Sequence, residues 1–209
     1  VLTNIIGLLL ALALNRGLKT RYLLRTLLFL PVVLSSISVS YIFKYIFAVD
    51  GALNSILASL GFEELQRIWL AEPDSALVAV LIVAVWQHTG MAMVIYLAGL
   101  ALVPQELEEA AALDGAGIWG RFRHITLPMI QPAIAINTTL ALTSGLKIFD
   151  QVKAMTNGGP FGATDTLSTV IYRNTFEFMD YGYGAAISLV FSVVIFLSAA
   201  IQLYLTRDR

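Results

Sequence analysis

The chain has 209 residues, 58% of them hydrophobic and 13% charged, with a formal net charge of −1 and a mean hydropathy of +0.79. Soluble domains run near a quarter charged, so there are too few polar side chains here to coat a globule in water. The near-neutral charge excludes the basic surface that nucleic acid requires. The absence of cysteine excludes disulfides, thiolate metal sites and a cysteine nucleophile.

The first apolar run, residues 2–14, is interrupted by Thr3 and Asn4. As a helix it falls short of the roughly 30 Å of a bilayer core. It carries neither the basic leader nor the small-residue cleavage site of a signal peptide, so it reads as a fragment that starts inside a membrane helix. Four longer runs follow. Residues 27–47 hold one internal charge, Lys44, near the end, where its stem can reach the interface. Residues 76–102 carry no charge apart from the titratable His88, residues 130–149 are richer in polar groups, and residues 185–205 are almost wholly apolar. Lipid cannot satisfy backbone amides, so such runs must be helices. The expected fold is an all-α membrane bundle of about five transmembrane helices, forming one domain over residues 1–209. Between the second and third runs, Leu53, Ile56, Leu57 and Leu60 recur at helical spacing, with Gly61 as a stop and Trp69 beyond. That pattern suits either a short interfacial helix or a loop packed on its neighbours.

The connections orient the bundle. Arg16, Lys19, Arg21 and Arg25 stand without an acid in the first; Arg67 faces Asp50, Glu63, Glu64, Glu72 and Asp74 in the second. The third holds Arg121 and Arg123, and the chain ends in Arg207 and Arg209. Cations concentrate on the cytoplasmic side, which places the first and third connections and the C-terminus inside. Lys153 and Arg173 in the fourth connection tie with the third, and alternation of the spans places that connection outside.

The third connection, residues 104–128, reads as two short helices and a turn. Pro104 suits a first helical position, and Glu106, Glu108 and Glu109 complement the positive end of the helix dipole. Leu107, Ala110 and Ala111 share a face on which the alanines admit a close approach, and Gly115 is placed as a left-handed cap. Ile118, Phe122 and Ile125 form a second apolar face, ended by Pro128 and Pro132. The spacing of Glu109-Ala110-Ala111, Gly115 and Ile125-Thr126-Leu127-Pro128 resembles the signature cytoplasmic loop of binding-protein-dependent ABC importer permeases. The resemblance implies that Glu109, Ala110, Ala111 and Gly115 form a coupling element that docks on a separate ATPase. Phe149-Asp150 followed by Thr156-Asn157-Gly158-Gly159-Pro160, and the stretch ending Trp69-Leu70-Ala71-Glu72-Pro73, resemble the carbohydrate-uptake branch, the maltose and glycerol-3-phosphate type. The likeness extends over essentially the whole chain, with the family's first span and the start of its second lacking. It implies two ATPase subunits, a second permease and an extracytoplasmic solute-binding protein as partners, in the plasma (inner) membrane of a bacterium or archaeon.

Polar groups at membrane depth need a cavity or a partner. Asn137, Thr138, Ser144, Lys147 and Asp150 suit either one wet face along a transport path or helix–helix hydrogen bonding. The resemblance implies that this span contributes to the substrate site. Lys147 and Asp150, three residues apart, also suit a local ion pair. Trp86, Gln87, His88 and Gly90 offer either a sugar-stacking surface or helix packing, with packing favoured for His88, and Ser35, Ser36, Ser38 and Ser40 suit close helix packing. No Gly-rich phosphate loop with a following Lys-Ser/Thr occurs, so ATP is expected on the partner subunits and no cofactor in this chain. His88 and His124 offer no paired metal spacing. The expected function is a non-catalytic permease subunit for a sugar or related solute. An ion-coupled secondary transporter is the alternative, with Asp150 as the acid nearest to that description. Orientation is testable because the chain has no native cysteine: Gly115→Cys should react with an impermeant thiol reagent only from inside, and Gly61→Cys and Gly159→Cys only from outside. Labelling of Gly159→Cys from inside alone overturns the topology.

Overall fold

Two of the four long runs form uninterrupted helices, and two are broken. The structure is a computed structural model in which residues 1–15 and 19–207 are described; Arg16 and Arg209, used above for orientation, lie outside the described residues, as does the side chain of Arg207. In chain order the helices are α1 (Leu2–Leu14), α2 (Arg21–Val33), α3 (Ser36–Ile46), α4 (Ala52–Ser59), α5 (Pro73–Leu100) and α6 (Gln105–Leu113). They are followed by α7 (Ile118–Arg121), α8 (Leu127–Met129), α9 (Gln131–Leu146), α10 (Asp150–Met155), α11 (Leu167–Tyr172) and α12 (Tyr181–Arg207). No strand occurs among the described residues. At 1.5 Å per residue, α5 and α12 are each about 40 Å long. Both are apolar enough to cross a bilayer as single helices, as the sequence leads one to expect.

The expected span over residues 27–47 instead stops at Val33 and restarts at Ser36. Pro31 sits inside α2, where it has no amide to give and its ring crowds the preceding turn. Four residues beyond it, Ser35 adopts a non-helical ψ of 127°. The expected span over 130–149 is broken at Ile130 as the chain enters α9, with Pro132 in the first turn, and it leaves the helix again over residues 147–149. Each of these runs has the length of a crossing only if its broken pair counts as one span, and α1 is a shorter apolar helix.

The chain divides into two units. The first comprises the described residues of Val1–Val33, His88–Leu142 and Ser198–Arg209. Its core joins Ala11, Leu14, Met93, Tyr96, Leu100 and Ile130. Helices approach closely there through small residues. A methyl group added at Gly90 would lie 2.4 Å from the Leu28 carbonyl oxygen, and one at Gly7 or Gly99 would lie 2.7 Å from the Cβ of Ala92 or Ala133. Such contacts gain dispersion energy where lipid supplies no hydrophobic drive between helices. Arg25 donates to the Leu14 carbonyl at 2.8 Å, so a cation counted for orientation also satisfies the end of α1 and complements its dipole.

The second unit comprises Leu34–Gln87 and Thr143–Leu197, with Val39, Phe47, Val83, Val152 and Met155 at its core. The stretch after α3 is a helix, but its apolar stripe divides: Leu53 and Leu57 are half-buried, Ile56 and Leu60 exposed. Its organiser is polar. Buried Asn54 donates to the carbonyls of Val49 and Arg67, each at 3.0 Å, and accepts from the Trp69 indole at 2.8 Å. Trp69 is thereby held 6.2 Å, ring to ring, from Phe47. The close contacts make a prediction. Gly90→Ala should lower the thermal stability of the purified protein by about 1–3 kcal/mol, through overpacking against backbone. Gly145→Ala, inside α9 with a methyl that would meet nothing within 4 Å, should hold or raise the melting temperature.

Candidate functional site

The 104–128 connection is built around one helix ending. Pro104 is the residue before α6 and not its first helical position, with ψ 129°. Glu106 and Glu108 lie in the first turn, where the free amides favour negative charge. At the other end Gly115 has φ +84°. Its amide donates to the Ala112 carbonyl at 3.1 Å, and the Ala116 amide reaches back to the Ala111 carbonyl at 2.9 Å. This paired return is the Schellman ending, which needs a left-handed residue at the position of Gly115. The chain then turns into α7 and widens over Phe122–Thr126, where the Leu127 amide reaches the Phe122 carbonyl five residues back. Thr126, buried, donates to Glu108 Oε1 at 3.1 Å and so ties the second helical segment to the first.

Of the four expected coupling residues, Glu109 is exposed and accepts from Gln105 at 2.7 Å. Ala110 and Gly115 are exposed, and Ala111 is half-buried at the helix ending. Large apolar side chains accompany them: Leu113 is 90% exposed, Ile118 73% and Trp119 69%. Of the second apolar face read from sequence, Phe122 and Ile125 turn partly inward while Ile118 faces out. The widened turn shifts the register of everything after Arg121. An apolar patch on a segment outside the long apolar helices is suited to contact with another protein. Leu113 and Trp119 were not among the residues singled out from sequence, because periodicity alone does not tell a docking face from a core face.

The five polar residues expected along a path fall in both units. In the first unit Asn137 is buried and donates to the Ala92 carbonyl at 3.1 Å, and half-buried Thr138 accepts from Asn4 at 3.4 Å. In the second, Ser144 and Lys147 are exposed and Asp150, half-buried, opens α10. Lys147 lies in the non-helical link before α10, which removes the helical spacing that an ion pair with Asp150 relies on. The ion pairs among the described residues are Lys153–Glu177 at 2.5 Å and Arg173–Asp165. Trp86 rests against Phe43, ring centroids 5.2 Å apart. Of the four serines, Ser40 is buried and Ser35 and Ser38 are exposed.

Two polar clusters escaped the sequence reading. One is the loop after α10, where Thr164 bonds to Thr156 at 2.7 Å and to the Gly159 carbonyl at 2.7 Å, and Asp165 accepts from Thr169 and Arg173. Gly158 has φ +86°, and a methyl there would collide with the Asp165 carboxylate, so the Thr-Asn-Gly-Gly-Pro run is shaped around a buttressed acid. The other cluster joins Gln87, Gln151 and the Leu34 carbonyl, with Gln87 donating to Leu34 at 3.0 Å and Gln151 donating to Gln87 at 3.0 Å. No group of three His, Asp or Glu side chains converges as a metal site among the described residues.

Residues 3–209 match the family described as binding-protein-dependent transport system inner membrane component. The chain is 38% identical over 208 residues to the lactose transport system permease protein of Rhizobium radiobacter, covering 97% of this chain and 70% of that one. It is 36% identical over 212 residues to the trehalose/maltose transport system permease protein of Thermococcus litoralis, covering 100% and 70%. Its fold matches a chain in the crystal structure of a bacterial ABC transporter that imports the acidic polysaccharide alginate. That match has a TM-score of 0.87 at 25% identity and covers 97% of this chain and 71% of that one. A second structure of an alginate transporter, in complex with an alginate pentasaccharide-bound periplasmic protein, matches with a TM-score of 0.85 and the same coverage.

The two kinds of polar residue predict different outcomes. Asn137→Leu should lower thermal stability by about 1–3 kcal/mol, because a buried hydrogen bond is lost. Ser144→Leu, exposed and without a protein partner among the described residues, should leave it unchanged. Unfolding followed by tryptophan fluorescence measures both. Equal losses at the two sites would contradict this placement.

Proposed function

The chain belongs to the family of binding-protein-dependent transport system inner membrane components, and from that premise we propose that it forms half of the translocation pathway of an ATP-driven importer for a sugar or oligosaccharide. In this reading residues 104–128 are cytoplasmic and seat on a separate ATPase, and the C-terminus is cytoplasmic too. A second permease completes the path, two ATPase subunits bind the ATP, and an extracytoplasmic solute-binding protein delivers the solute. The setting is the plasma membrane of a bacterium or archaeon, and the chain itself is non-catalytic. The observation that carries the coupling role is the exposed Leu113, Ile118 and Trp119 beside the Gly115 ending. This apolar face lies on a segment joining two membrane-crossing stretches. Support for a sugar comes from the lactose and trehalose/maltose relatives, and support for a delivering protein from the complex of the alginate transporter with its periplasmic protein. Ser144, Lys147 and Asp150, with Asn137 and Thr138, are assigned to the path. Exposure of Ser144 and Lys147 on an otherwise apolar chain supports their place in it.

The test separates docking from folding. Leu113→Asp changes a side chain that is already 90% exposed, so insertion and permease stability should be unaffected. Gly115→Val places a β-branched residue at φ +84°, where the left-handed conformation costs about 1–2 kcal/mol. Both variants should reach the membrane, lose the ATPase on purification or hydrolyse ATP without response to solute, and reduce uptake at least tenfold. Retention of the ATPase with parental solute-stimulated hydrolysis in both variants makes this segment a simple connector. Uptake in sealed vesicles driven by an ion gradient without ATP would favour the secondary transporter.

A further inference from the structure

A helix that stops and restarts inside a membrane leaves amides and carbonyls that lipid cannot satisfy. In an unbroken helix the Leu34 carbonyl would accept from the Ser38 amide. Here the ladder of α3 begins one residue later, with Val39 donating to the Ser35 carbonyl at 3.0 Å. The Leu34 carbonyl takes the Gln87 side chain instead, at 3.0 Å. Gln87 is 3% exposed and Gln151 4%, and the amide of Gln151 donates to Gln87 Oε1 at 3.0 Å. That second bond fixes the amide of Gln87 with its nitrogen toward Leu34. Gln87 is the fifteenth of the 28 residues of α5, so with α5 as one crossing its partner Leu34 lies level with the middle of the span.

The amino side of the break is left open. Ser35 makes no side-chain cap to α3. Among the described residues the amides of Ser36, Ile37 and Ser38 have no backbone or side-chain acceptor. Ser35 and Ser38 are exposed, and Ser36 is half-buried. Irregular backbone at membrane depth persists only when buried in protein or facing a water-filled cavity, and this turn is exposed on its own chain and carries three hydroxyls.

We infer that the Leu34–Ser35 break is a permanent, water-facing part of the transport path and that Gln87 and Gln151 are the positioning residues that hold it open. The inference rests on the transporter reading above but is measured separately from its energy source. Ser35→Cys in the assembled transporter, with partner subunits free of reactive cysteine, is treated with a charged, water-soluble thiol reagent from each side in turn. Ile42→Cys, on the same helix and 58% exposed as an isoleucine, is the apolar control. Ser35→Cys should react from at least one side at least tenfold faster than the control. Reactivity no greater than the control from both sides means lipid or another subunit covers the break, and overturns the inference.

Gln87→Met and Gln151→Met keep the side-chain volume and remove the hydrogen bonds. Per assembled transporter, each should reduce the maximal uptake rate about tenfold with KM within about twofold. The double variant should be no slower than Gln87→Met alone, because both substitutions cut one relay. Multiplied losses in the double variant, or parental rates in either single variant, overturn the positioning role. Should a methionine variant fail to assemble, thiol reactivity in the unsubstituted relay decides alone. Loss of ATP dependence in the parent would sink the importer reading while leaving both measurements valid for whatever gradient drives uptake.

Discussion

Backbone hydrogen bonding is the constraint on which this structure turns, because a bilayer core offers no water to repair an unpaired amide or carbonyl. Where the helices are continuous, as in α5 and α12, the requirement is met within the segment. At Leu34 it is met by a side chain, Gln87, itself held by Gln151. The same economy appears at the end of α1, where Arg25 takes the Leu14 carbonyl, and around Asn54, which satisfies two loop carbonyls and an indole. Polar side chains thus stand in for helical partners at several places where the ladder fails.

Packing in the first unit follows from a second feature of the membrane. Lipid tails solvate leucine as well as another leucine does, so helices gain from contact only when backbones come close. Gly7, Gly90 and Gly99 provide that closeness, and substitution meets either a carbonyl or a facing Cβ. Large side chains then face outward. On α12, 11% of the span window is buried, which leaves this helix free to meet lipid or another subunit.

The 104–128 segment obeys different physics because it lies outside the long apolar runs. Its shape is set locally, by the Ala116-to-Ala111 and Gly115-to-Ala112 bonds, and is braced by the Thr126–Glu108 bond. A short, capped, braced helix presenting exposed apolar side chains loses little conformational freedom on docking. That is the property a protein-docking contact requires.

Much of this was readable in the residues themselves. Apolar runs long enough to cross a bilayer can be nothing but helices, so 76–102 and 185–205 were determined by length and composition. The glycine at position 115 announced its left-handed backbone because helix endings depend on a few neighbouring residues. What tertiary structure decided were the breaks and the partners. Pro31 marks a weak point in its helix, yet the interruption at Leu34 persists through Gln87, 53 residues away, and Gln151, a further 64 residues along. Asn137, legible as a polar residue in a span, finds its acceptor at Ala92, 45 residues distant. Which residues after Arg121 turn inward was settled by the widened turn at Phe122–Thr126, which breaks the period that sequence patterns assume. Local backbone preference and hydrophobic length are properties of short stretches and survive in the sequence; hydrogen bonds between distant side chains and carbonyls exist only once the chain has folded.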